Sequence, residues 1–238
     1  MSPTEGVLSE AWGLYKAHWR HLLKFSFLVY VGVALTTLLL VLVLGRFGAV
    51  LGAILSLVAG FWVQGALVRA VDDVRDGKPD LSLGETFESV RPQLAAIIVG
   101  GILAGLGIAL GLVLLIVPGL ILMTWWVLLI PVIVLEKTSA GVAFGRSREL
   151  VRGNGWNVFG VIVLTFLLFF AFSIVLSILL SPVSDWLQSF LSSVISGTLV
   201  WPFVAVTWTI LYYRLRGAKE AVAETPAPAT PPPPPAAT

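Results

Sequence analysis

The chain alternates between long apolar runs and short connectors that carry nearly all of its charge. A helix crossing the hydrocarbon of a bilayer needs about 20 mostly apolar residues. Six runs reach or approach that length: 22–44, 49–68, 94–116, 120–135, 158–180 and 187–212, the fourth being the shortest. Helices satisfy their own backbone groups in lipid, so the pattern predicts an all-α integral membrane domain over residues 1–216 with six transmembrane helices. The first run follows a mixed-polarity stretch and ends in Gly45-Arg46-Phe47-Gly48, so it reads as a retained span and not a cleaved leader.

Between Gln93 and Glu136 there is no charged residue, yet the length allows two crossings. The one break is Pro118-Gly119. Proline fixes φ and lacks an N–H, and glycine permits positive φ, so the pair predicts the turn of a helical hairpin. Its tip either packs under neighbouring helices or reaches the headgroups; both placements stay open.

Short amphipathic segments precede three of the spans. Leu8, Trp12 and Tyr15, then Leu83, Phe87 and Val90, recur at helical spacing, and Val142, Phe144, Ser147 and Leu150 follow more loosely. Such helices lie in the membrane interface. The layout is therefore a threefold one, each unit an interfacial helix followed by two spans.

Composition sharpens this picture. The chain of 238 residues is 58% hydrophobic and 12% charged, with a mean hydropathy of +0.97. Of its 15 Lys and Arg residues, only Arg46 falls in a connector of the opposite parity to the rest. Basic residues accumulate in short cytoplasmic loops, which predicts both termini in the cytoplasm. Trp12, Trp19, Trp156, Trp186, Tyr212 and Tyr213 fall near the expected interfaces, whereas Trp62, Trp125, Trp126, Trp201 and Trp208 fall within spans as packing or lipid-facing groups. From Gly217 to Thr238 the chain is rich in Ala, Thr and Pro, and a disordered cytoplasmic tail is expected.

Helices in lipid approach closely through small residues. Gly101/Gly105 and Gly107/Gly111 supply two such pairs in the third span, read as packing within the chain. The polar groups inside the spans are uncharged, chiefly Gln64 with Ser and Thr residues, and the lack of a mid-span charge argues against a proton-coupled pump. A transporter reading would require a cavity lined by Gln64 and those hydroxyls.

Three clusters are candidates for chemistry. Asp72, Asp73, Asp76 and Asp80 form a DDxxDxxxD run that resembles the magnesium-diphosphate motif of intramembrane prenyltransferases; Arg69 and Arg75 are spaced to neutralise it, and a self-paired structural segment is the competing reading. His18 and His21 lack the carboxylates of a zinc site and read as interface anchors. Arg146, Arg148 and Arg152 could contact lipid headgroups, while Glu136 is placed to pair with Arg146 or Arg148. No cysteine is present. No catalytic residue, cofactor or firm metal site is expected, and the partners expected are membrane lipids and an unidentified protein, not nucleic acid.

Val117-Pro118-Gly119-Leu120, Trp126, Pro131 through Lys137, Ala143-Phe144-Gly145-Arg146-Ser147, Gly153 and Trp156 together resemble the bacterial membrane-domain proteins named for glycerophosphoryl diester phosphodiesterase. The similarity covers roughly residues 81–180. It implies a six-span fold in the bacterial plasma membrane. The catalytic barrel to which some members are fused has no counterpart here, so no catalytic residue carries over. The expected function is non-catalytic, in lipid binding or as a scaffold or accessory component in membrane and envelope homeostasis. The alternatives are a small transporter or channel, and a metal-dependent lipid enzyme using Asp72, Asp73 and Asp76.

Overall fold

A computed structural model describes residues 3–75 and 82–223. Every element among them is helical: α1 (Val7–Arg75), α2 (Leu83–Val90), a 3-10 turn (Arg91–Gln93), α3 (Leu94–Leu114), α4 (Ile116–Trp126), α5 (Leu129–Leu135), α6 (Ala140–Val151), α7 (Gly155–Leu180) and α8 (Asp185–Ala223). Among the described residues five helices are long and apolar enough to cross a membrane.

The 69 residues of α1 would reach about 100 Å if straight. They fold back instead. Non-helical backbone at His18 and at Gly45 (φ +55°, ψ −128°) divides α1 into segments 7–17, 19–44 and 46–75. Positive φ is strained for residues with a Cβ, which explains glycine at the bend. The two long arms then touch: a Cβ on Gly48 would lie 1.8 Å from the Leu40 carbonyl oxygen, and one on Gly52 would lie 2.5 Å from Thr37 Cγ2. The first and second apolar runs therefore form a tight hairpin.

The second hairpin corrects the expected turn. It bends at Leu115 (φ −155°, ψ 126°), three residues before Pro118. Pro118 lies in the first turn of α4, where a missing N–H costs no hydrogen bond. Gly119 supplies the close approach, for a Cβ on Gly111 would lie 2.9 Å from the Gly119 Cα. No part of the described chain covers the tip: Leu114 to Val117 are exposed, and Val113 is 83% exposed.

The fourth run is also not one helix. It breaks between Trp126 and Leu129, because Pro131 cannot donate to the Val127 carbonyl and its ring would collide with it. One of the opened carbonyls finds a new donor: Ser147 Oγ of α6 donates to Trp125 O at 2.6 Å. Other boundaries move outward. The second run continues to Arg75, the fifth begins at Gly155, and α8 extends past 212 to Ala223. The tail expected from Gly217 is helical to Ala223, held by an Arg216–Glu220 pair at 2.8 Å and by Lys219 Nζ donating to Arg152 O at 2.8 Å. Residues 224–238 lie outside the described residues.

The short amphipathic segments bury Tyr15, Val90, Ser147 and Leu150 as expected, but leave Phe87 and Phe144 half-buried. Val7, Ala11 and Tyr15 are buried in the first, Thr86 and Val90 in α2, and Ala143, Ser147 and Leu150 in α6, while Trp12 and Val142 are exposed. At Ala11 and Ala143 close helix contact favours a small side chain, and the Trp12, Phe87 and Phe144 rings lie at the flank. There each ring meets a span edge-on: Trp12 with Phe203 (6.2 Å between centroids), Phe87 with Trp62 (5.2 Å) and Phe144 with Trp126 (4.9 Å). Ser82 and Glu85 close a capping box at the start of α2.

The buried core gathers around the inner faces of 46–75, α5 and the C-terminal half of α8. Away from it, Leu42, Val113, Phe170 and Leu179 are among many exposed apolar side chains. Apolar surface this extensive is the signature of lipid contact and not of a soluble surface.

Candidate functional site

The charged connectors meet at one end of the bundle. Glu136, at the end of α5, accepts from Arg146 Nε at 3.1 Å and from the Tyr212 hydroxyl at 3.0 Å, so Arg146 is the partner that Glu136 finds. Arg146 also reaches Glu149 at 3.1 Å. Burial opposes its charge, but the hydrogen bonds of Glu149 and Glu136 outweigh this and hold its pKa above the ordinary value. Arg214 of α8 pairs with Glu10 through Nε at 2.9 Å. Arg148 lies 4.2 Å over the Trp125 ring, and Arg152 is exposed. Of the three arginines considered for headgroup contact, Arg146 is thus committed to carboxylates and Arg148 to an indole.

The described part of the aspartate run is engaged by neighbouring side chains. Asp72 bonds to Arg69 and to the Tyr213 hydroxyl, and Arg75 stacks on the same phenol at 3.6 Å. Asp73 also has a partner, and Asp76 and Asp80 lie outside the described residues. Among the described residues no three His, Cys, Asp or Glu side chains gather to hold a cation. The His18 ring lies 3.4 Å from the Leu14 carbonyl of its own helix; the His21 side chain lies outside the described set.

A partly open chamber of about 510 Å³ lies between 46–75, α3, α5 and α8. Its origin is local. Gly105 lines it with open space where a Cβ would stand, and Ala104 adds only a methyl. The expected close packing at Gly105 is therefore corrected. Its partners do pack: Gly101 receives the Phe61 ring, Gly107 receives Trp126, and Gly111 meets Gly119. From the second arm Ser56, Phe61 and Gln64 face the chamber, with Trp126, Trp201 and Trp208 opposite.

Gln64 carries the chemical interest. It is 7% exposed, and its Oε1 has no hydrogen-bond partner. An orphaned buried acceptor costs about 1–3 kcal/mol. Of the Ser and Thr hydroxyls expected to line such a cavity, three turn back to their own helices, Thr165 to Val161 O at 2.8 Å, Thr207 to Phe203 O at 2.8 Å and Ser193 to Ser189 O at 2.9 Å, whereas Thr198 Oγ1 is buried without a partner, as Gln64 Oε1 is.

Further cavities adjoin the chamber. One of about 610 Å³ shares Tyr30, Ser56 and Trp201 with it and runs past Thr37 and Ser196. One of about 180 Å³ shares Trp201, Val204 and Trp208 and leads to an apolar groove of about 560 Å³ between the 7–17 segment, α7 and α8. Trp126, Trp201 and Trp208 were expected as packing or lipid-facing groups. A signal for two of them was present, since Trp201 and Trp208 are seven residues apart and share a helix face; the third needed the α4–α5 break. Comparison of the chain with protein-family models, curated proteins and solved structures finds no match.

Proposed function

We propose that this chain is a non-catalytic, six-span protein of the bacterial plasma membrane with both termini in the cytoplasm, which holds membrane lipid in its internal cavities and acts as a lipid-binding or accessory component in envelope homeostasis. The carrying observation is the set of adjoining, mainly apolar cavities that open onto a lipid-type surface. Ligand sites are mainly apolar hollows of about 300–1,000 Å³ with a few placed polar groups. The gathering of Glu10, Glu136, Arg146 and Arg214 at one end supports the parity of the spans. The matching ring contacts of Trp12, Phe87 and Phe144 support the threefold layout, and the resemblance to the glycerophosphoryl diester phosphodiesterase membrane-domain proteins is kept as part of this reading. Native mass spectrometry of the chain released from mixed-lipid nanodiscs should show one or two lipids retained at collision energies that strip annular lipid. Release of bare protein at the lowest such energy would reject it.

A second reading, a small transporter, draws on the cavity that passes Thr37 and Ser196 and meets the chamber at Tyr30 and Trp201. It expects a change in accessibility between the two ends. A cysteine at Ser56 reacting from one aqueous side only, with and without candidate solutes, would count against it.

A further inference from the structure

Where α6 ends, the nearby acids are already taken. Arg146 holds Glu136 and Glu149, and Arg216 holds Glu220. Among the described residues no carboxylate pairs with Arg148, Arg152 or Lys219. These three cations lie together. Arg152 N donates to Arg148 O at 3.0 Å, and Lys219 Nζ donates to Arg152 O at 2.8 Å. Arg148 stacks on the Trp125 ring. Stacking uses the face of a guanidinium and leaves its in-plane N–H groups free to donate.

Trp125 is also one wall of a groove of about 460 Å³ between α4 and the start of α7. Val117, Leu120, Ile121 and Phe159 line the groove with Trp156, which stands four residues beyond Arg152 and is 86% exposed. No lining side chain is ionisable. Its one side-chain hydroxyl, on Thr124, is committed to Leu120 O at 2.8 Å, and the indole N–H groups are donors. An occupant suited to both parts is apolar along its length and anionic at one end. A free anion gains nothing from the apolar wall. A zwitterionic headgroup brings its own cation against three others, which is unfavourable. Clustered Lys and Arg beside a membrane span attract anionic lipid, and tryptophan favours the headgroup level.

We propose that this groove holds an acyl chain of an anionic phospholipid, with the headgroup phosphate against Arg148, Arg152 and Lys219 and the Trp156 ring beside the glycerol. This rests on the lipid-binding reading above and adds to it one site and one lipid class.

The test uses the full-length chain in phosphatidylcholine nanodiscs with a minor share of phosphatidylglycerol of the same acyl chains, read by native mass spectrometry beside thermal melting. Wild type should retain one phosphatidylglycerol in preference to phosphatidylcholine. Arg152→Gln removes one exposed cation; it should melt as wild type and lower that retention about fivefold. Neutralising Arg148, Arg152 and Lys219 together should abolish the preference. Gly155 lines the groove with open space about a Cβ, so Gly155→Leu should lower the retention with every cation in place. Neutralising the exposed Lys16, Arg20 and Lys24 removes the same charge elsewhere and should leave it unchanged. Phosphatidylglycerol retention equal in wild type and Arg152→Gln would overturn the proposal. So would an equal loss on neutralising Lys16, Arg20 and Lys24, which would show a general charge effect, and so would displacement by inorganic phosphate, which would indicate a soluble anion. Retention of both phospholipids without preference would overturn it while leaving the broader lipid-binding reading intact; loss of every lipid would overturn both.

Discussion

Single residues divide here into those closing the bundle and those leaving space in it. Gly48 is of the first kind. A methyl there must displace the Leu40 backbone, so Gly48→Ala should destabilise the chain by about 3 kcal/mol, measured by unfolding in mixed micelles. Gly105 is of the second kind, with nothing near a Cβ. Gly105→Ala should therefore stabilise by about 0.5–1 kcal/mol from helix propensity alone, and a loss of stability in that assay would show that the chamber is tighter than described. Gly48 stands in the connector beside Arg46 and Gly105 in an apolar run, and neither position tells by sequence alone whether a neighbour fills the space. Glu136 shows the converse. Its pairing with Arg146 follows from distance along the chain, but the Tyr212 hydroxyl on the same carboxylate comes from 76 residues away. Removing that donor in Tyr212→Phe should cost about 1 kcal/mol.

Elements depend on their neighbours in the same way. The α4–α5 break is a sequence property, since Pro131 opens it, but its repair is not. The Trp125 carbonyl, freed at the end of α4, takes the Ser147 hydroxyl of α6. Ser147→Ala removes that donor and leaves a half-buried carbonyl unpaired, for an expected loss of about 1 kcal/mol; Ser147→Thr should keep most of the stability. Equal melting of Ser147→Ala and wild type would mean that the contact carries no weight. The same dependence explains the partly displaced amphipathic stripes. Apolar spacing identifies the segments as surface-seeking helices, yet which flank is buried follows from how closely the spans approach, and this favours Ala11 and Ala143 over Trp12 and Val142.

At the scale of the whole molecule, charge segregation makes the orientation testable. The chain has no cysteine, so single substitutions report cleanly. Cysteines at Lys78 and Arg152 should react with an impermeant reagent from the cytoplasmic side, and one at Arg46 from the other; reaction of 78 and 152 from opposite sides would reject the six-span threading. The sequence by itself determined the helical class and the long apolar runs, because transfer of apolar and charged groups between water and hydrocarbon acts on each segment locally. Only the tertiary structure decided where the hairpins bend, which small residues are filled by a neighbour and which face a void. A cavity is a relation among surfaces distant in the chain: Gln64 becomes an orphaned acceptor only when α3, α5 and α8 pack around it without offering a donor.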